Sequence, residues 1–128
     1  MPIRVVRLGG PRKDGEGLRI GTVRRPPRGV PKSEYSSRHF FDLWLPELAP
    51  SEALVKTALA AVSEAQWRTF SRRYRAELGR PEKRRLLDLL AALSRATSFS
   101  VGCYCTYESR CHRSILRELL AERGAVVE

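Results

Sequence analysis

The hydrophobic positions change period several times along the chain, and each change marks an element. Ile3-Arg4-Val5-Val6-Arg7-Leu8 is a short β-branched run stopped by Gly9-Gly10-Pro11, and it reads as a first strand. Leu18-Arg19-Ile20-Gly21-Thr22-Val23 alternates and reads as a second strand, with Asp14-Gly15-Glu16-Gly17 as the turn region before it. The following stretch, Arg24 to Ser37 (RRPPRGVPKSEYSS), is rich in proline and basic groups. Its prolines and glycine exclude regular structure, leaving either a ligand-facing arm or a connector.

From Ser51 onward the period is helical. Leu54, Val55, Ala58, Leu59 and Val62 recur at helix spacing behind an N-cap serine. Ser63 and Gln66 form a capping-box pattern ahead of Trp67, Phe70, Tyr74 and Leu78, and Gly79 ends that segment. The stripe of aromatic residues reads as core packing, as does Trp44, and the opposite face with Arg68, Arg72, Arg73 and Arg75 is basic. Pro81 opens a third helix through Leu86, Leu87, Leu90 and Leu93, with Lys83, Arg84 and Arg85 in its leading turn. The period then shortens. Phe99 to Tyr104 predicts a buried strand, 106–110 a loop, and Cys111 to Arg123 a fourth helix through Ile115, Leu116, Leu119 and Leu120, with Gly124 after it. Ala125-Val126-Val127 is short enough for one last strand. Strand, helix and strand in that order give parallel pairing, so the expected fold class is α/β, a compact single domain over residues 1–128 with a small, mainly parallel sheet and packed helices.

A chain of 128 residues has room for one core. No apolar run approaches the roughly 18 residues of a membrane span, and Met1-Pro2-Ile3-Arg4 reads as the start of a strand rather than a signal peptide, so no membrane partner is expected and the cytoplasm is the expected compartment. An odd count of three cysteines argues against a secreted disulfide framework. Lysine plus arginine total 24 against 14 acids, a formal charge of +10, mostly from arginine. That excess suits an anionic small molecule or a nucleic acid, although a solvated arginine-rich surface explains the charge equally well. Interleaved aromatics of the kind single-strand binders use are sparse.

Chemistry concentrates in one place. The stretch CYCTYESRCHRS, Cys103 to Ser114, holds every cysteine together with Glu108, Arg110, His112 and Arg113. A strand ending at Cys103 and a helix opening at Cys111 put the intervening loop at the carboxyl edge of the sheet, where open α/β sheets bind ligands. The helix start, with Arg110 and Arg113 beside it, offers an anion pocket, and its field is expected to depress the thiol pKa of Cys111. Three readings follow. Cys103, Cys111 and His112 can supply a nucleophile or proton-transfer chemistry, with Arg24, Arg28, Arg110, Arg113 and Glu108 binding the ligand. Cys103, Cys105, Cys111 and His112 can hold zinc or iron, or sense redox state through their thiols, in a protein without catalysis, although C-x-C-x5-C-H departs from paired-hairpin zinc motifs. Or the cysteines are simply small buried groups at a strand end. The basic helices from Arg68 to Arg85 leave a plain nucleic-acid-binding module as a further alternative. A phosphatase-type loop fits poorly, because Cys105 and Arg110 enclose too few residues and no glycine.

Several co-linear segments, GCYCTYESRCHRSILRELL, DLWLPELAPS, FSRRYRAEL and the RPPRG loop, resemble the DUF488 family, the YeaO-like bacterial proteins, over Ile3 to Val127. The resemblance implies a compact α/β domain in a cytoplasmic bacterial protein and carries no settled activity with it. It places the family's cysteine, histidine and arginine signature on Cys103, Cys111, His112 and Arg113, and a loop signature on Arg24, Pro27, Arg28 and Gly29. Val23 and Pro26 replace an aspartate and a tryptophan of that loop, and Cys105 stands where many relatives carry a glutamate. Asp42, Trp44, Tyr74, Arg75 and Glu77 also fit the family pattern, while His39, beside Phe40 and Phe41, reads as structural.

Overall fold

A computed structural model describes residues 2–128. Four strands form one sheet in the order β1-β4-β2-β3, with β1 spanning Ile3–Arg7, β2 Leu18–Gly21, β3 Leu43–Trp44 and β4 Phe99–Cys103. Every pairing is parallel, with Val5 beside Val101 and Ile20 beside Val101 on the other side. The expected α/β class with a small parallel sheet is what the chain adopts. The α-helices are α1 (Glu52–Ala60), α2 (Glu64–Leu78), α3 (Pro81–Leu93) and α4 (His112–Glu122).

The helix limits follow from their caps. Ser51 Oγ accepts from the Leu54 N–H, and Ser63 and Gln66 form the reciprocal capping box, satisfying N–H groups that a helix start otherwise leaves open, each cap contributing about 1 kcal/mol. Pro81 occupies the first turn of α3, where its missing N–H costs nothing. After α4, Gly124 takes a positive φ of 78°. The Gly124 and Ala125 N–H groups donate back to Ala121 and Leu120, closing a Schellman end.

Alternation along the strands sorts the two faces of the sheet. Ile3, Ile20, Phe99 and Val101 join one core with Leu54, Phe70, Tyr74, Leu78, Leu87, Leu90, Ile115, Leu116 and Leu120 from all four helices. Arg19 and Ser100 alternate to the other side, where both bond Glu16 in the loop between β1 and β2. A smaller cluster of Leu8, Val23, Phe41, Cys103 and Cys111 lies at the carboxyl ends of the strands.

Several details depart from the sequence reading. β1 and β2 stop at Arg7 and Gly21, short of Leu8 and Val23. β3 is a two-residue edge strand that no alternation announces. Lys32–Glu34 forms a 3-10 turn inside the proline-rich loop expected to be irregular. Residues 125–127 contribute one parallel bridge, Val127 to Ile3, instead of a strand. Trp44 is 39% exposed, not core, and its Nε1–H donates to the Val23 carbonyl at 2.8 Å. Leu59 and Val62, which share the helical spacing of Leu54, are exposed, Val62 because the helix has already ended.

Asp42 ties the loop before β3 to the sheet. It accepts both Arg12 guanidinium nitrogens at 2.8 and 2.9 Å, the Arg19 N–H at 2.8 Å and the Ser36 hydroxyl. Burial alone would raise its pKa, but these donors outweigh it and hold the carboxyl down at about 2. A folded-state value below the unfolded one, roughly 4, means stability that is complete above that unfolded value and is lost as pH falls toward about 2. Asp42→Asn is therefore expected to melt below the parent at neutral pH, with the gap closing in acid. Circular-dichroism melts across that range check it, and a gap that stays constant with pH would contradict the assignment.

Candidate functional site

The site is assembled at the carboxyl ends of β4 and β2. Gly102 lets β1 lie close against β4, since a Cβ there would fall 2.5 Å from the Val6 carbonyl oxygen. Cys103 ends the strand, and its Sγ accepts the Cys105 N–H at 3.3 Å, turning the chain sharply outward. Cys111 is the N-cap of α4, and both Cys103 and Cys111 are only 2% exposed. The two sulfurs and an imidazole nitrogen of His112 lie within 4.8 Å of one another. Cys105, exposed at the edge, is not part of that trio.

The orientation of His112 is fixed by a backbone carbonyl. Its Nε2 is 2.7 Å from the Thr22 oxygen, which can only accept, so Nε2 carries the proton. Nδ1 is then left with a lone pair, 3.9 Å from Cys111 Sγ. Thr22 is itself clamped, its N–H and hydroxyl both donating to the Gly102 carbonyl at 3.0 Å. Tyr74 meets the imidazole edge-on at 5.6 Å between centroids. Burial pushes the imidazolium down to about 4, against the opposing pull of the Thr22 carbonyl, so the ring is neutral at pH 7.

The thiols correct one expectation. Cys111, predicted to be the acidic one, is instead raised. Hydrogen bonding with the Cys103 and Cys105 sulfurs keeps its proton in place, and burial adds to this beyond what the helix start offsets. Cys103 is raised by its bond to Cys105 and by burial, with Cys111 pulling the other way. Cys105 is lowered, first by the hydrogen bonds from Cys103 and Cys111. A cluster of three thiols shares one negative charge best on the sulfur that keeps most contact with water.

Above this floor opens a cavity of about 690 Å³. One wall is the 23–28 segment with Pro26 and Pro27. The facing wall is α1, with Val55, Ala58 and Leu59, closed below by Phe70. Arg24, Arg25, Arg28, Lys56 and Arg110 line it, against the single carboxylate of Glu52. The proline-rich loop is thus a cavity wall rather than a free connector. Arg24 is engaged with the Pro50 and Ala49 carbonyls at 3.0 and 3.1 Å, and Arg25 pairs with Glu52. Arg110 pairs with Glu64 at 2.5 Å and lies over Trp67, while Arg28 has no carboxylate within ion-pair reach among the described residues.

Two expected ligand residues are turned elsewhere. Arg113 is buried and donates to the Cys105 and Thr106 carbonyls at 2.8 and 3.5 Å, bracing the turn below the cavity, and its Nε–H has no partner. Glu108 faces Arg117 in a two-bond pair at 2.6 and 3.0 Å and does not line the cavity. Sequence reasoning missed the Thr22 carbonyl, a backbone group with no residue signature. It also missed the α1 wall, whose apolar residues carry the same periodicity as a core face.

A family model, DUF488-N3a, described as the active DUF488-N3 subclade, matches residues 3–124. No curated protein and no solved structure matches the chain.

Proposed function

The chain belongs to the DUF488 family, and from that premise we propose that it is a small enzyme, or an enzyme-like binder, of an anionic organic ligand of the nucleotide or nucleobase class. The observation that carries this reading is the cavity itself: apolar walls able to take a flat ring, a cationic lining able to take a phosphate, and Cys103, Cys111 and His112 as the floor. About 690 Å³ lies within the range of roughly 300–1,000 Å³ that small-molecule sites occupy. Forked guanidinium groups such as Arg25 and Arg28 recognise phosphate better than isolated ammonium groups do. His112 presents a neutral Nδ1 lone pair that can accept a proton from a ligand held against the floor. No helix among the described residues is long and apolar enough to cross a membrane.

Isothermal titration with nucleoside 5′-monophosphates, the matching nucleosides and inorganic phosphate tests the reading. Monophosphates are expected to bind more tightly than either half alone. Losing Arg25 and Arg28 together to alanine should weaken binding by about 1.5–3 kcal/mol, the scale of hydrogen bonds to a charged group. Equal affinity for nucleoside and nucleotide, or binding that survives both substitutions, would count against it.

A further inference from the structure

We infer that Cys103, Cys111 and His112 form a three-ligand site for a soft divalent metal ion of the zinc class, with the fourth coordination position open to the cavity. This deepens the ligand reading at the floor of the cavity: with a metal bound, the His112 Nδ1 lone pair is a metal ligand and no longer a proton acceptor, while the site itself stands whether or not a nucleotide is what the walls hold.

The donor atoms are already gathered. The sulfurs and the imidazole nitrogen lie within 4.8 Å of one another, with Cys111 Sγ and His112 Nδ1 at 3.9 Å. In a tetrahedral zinc site, bonds of about 2.3 Å to sulfur and 2.0 Å to nitrogen put neighbouring ligand atoms roughly 3.5–3.8 Å apart. Contraction by at most about 1.3 Å, within reach of side-chain rotation, completes the geometry. The available lone pair is also the correct one. Metal-bound histidines donate their other ring N–H to a carbonyl or carboxylate that fixes the tautomer. Here Nε2–H donates to Thr22 O, whose peptide is itself clamped onto Gly102, so Nδ1 faces the sulfurs before any metal arrives.

The ligands sit on the end of β4 and the first residues of α4, elements anchored in the cores, so the site does not depend on a mobile loop. Two thiols and an imidazole select zinc, iron or copper over magnesium or calcium, which prefer oxygen. Cys105 does not complete a closed tetrahedron. It is exposed and outside the trio, at the edge of the cavity that it lines together with all three ligand residues, so the fourth position faces the cavity. Three protein ligands with a free position is the pattern of catalytic zinc sites, whereas structural sites use four. A metal held there would polarise a ligand oxygen or acidify a bound water where the cavity presents its ligand.

The test uses the full chain, stripped with chelator and reconstituted separately with Zn(II) and Co(II). Elemental analysis after desalting is expected to show about one zinc per chain. The cobalt form should give sulfur-to-metal charge transfer in the near ultraviolet and the visible bands of tetrahedral cobalt. Cys105→Ser should keep the metal, and Cys111→Ser should lose it. Because a buried serine can unfold the chain, His112→Gln and zinc protection of the wild-type thiols against alkylation supply independent readouts. Inorganic phosphate or a nucleoside monophosphate should shift the visible cobalt bands if the fourth position opens to the cavity. Folded wild-type protein retaining below about a tenth of an equivalent of zinc, with no cobalt spectrum, overturns the site. Loss of metal in Cys105→Ser overturns the open position in favour of a closed four-ligand site. Nucleotide titration of the stripped protein is read separately, so failure of the metal site and failure of the ligand reading give different patterns.

Discussion

Glu16→Gln is expected to cost about 3–5 kcal/mol of folding free energy, the scale of breaking a buried ion pair by removing one partner. Glu16 and Arg19 are 2% and 1% exposed, and they meet in a two-bond pair at 2.8 and 3.0 Å. The remaining guanidinium donors go to the carbonyls of Gly10, His39 and Pro11, and Glu16 also accepts from Ser100 Oγ and the Lys13 N–H. Burial favours a neutral carboxyl, but Arg19 and Ser100 prevail and hold its pKa below the usual value. Glutamine removes the charge and leaves the Arg19 cation buried without a counter-ion, which is the expensive outcome. The double variant Glu16→Leu with Arg19→Met removes both charges and should recover most of the loss. Urea unfolding of the three proteins decides it: a single-variant loss under about 1 kcal/mol would mean that water reaches the pair.

Gly102→Ala should cost less, and it links stability to the site. Its φ is unremarkable, so backbone strain is not the cause. The new Cβ would fall 2.5 Å from Val6 O and 2.9 Å from Leu8 Cδ2, distances real atoms do not adopt. Overpacking of this kind costs about 1–3 kcal/mol and forces β1 away from β4 at the residue before Cys103. Gly15→Ala is the control. Gly15 has a φ of 73° and nothing within 4 Å of its added Cβ, so it pays only the left-handed backbone cost of roughly 1–2 kcal/mol. Gly102→Ala should lose both stability and ligand binding, and Gly15→Ala only stability. If the two variants behave alike, the close approach of β1 to Gly102 is not what positions Cys103.

These two sites also show where sequence reading ends. Helices with chemical punctuation were legible: Ser51, the Ser63–Gln66 box, Pro81 and Gly124 each sit where their cap geometry requires. The carboxyl-edge location of the Cys/His stretch was legible too, because a strand running into a helix fixes it without any contact information. The Glu16–Arg19 pair was hidden. A carboxylate between two glycines looks like an exposed turn until Ser100, 84 residues away, is brought beside it. The acidity of Cys111 is not legible because a helix start is a local signal, whereas the two competing sulfurs are set by how β4 turns at Cys105. β3 was invisible, since two residues carry no period. Arg113, expected at the ligand for its charge, is buried, its length reaching the carbonyls of the turn it follows.

The position of Arg24 has a consequence for timing. By bonding the Ala49 and Pro50 carbonyls just ahead of α1, it fastens the proline-rich wall to the facing wall. The cavity is therefore braced before anything binds, and little conformational freedom remains for a ligand to freeze. In such a preorganised socket, ligands compete through residence time, so damage to the lining should appear as faster dissociation more than as slower capture.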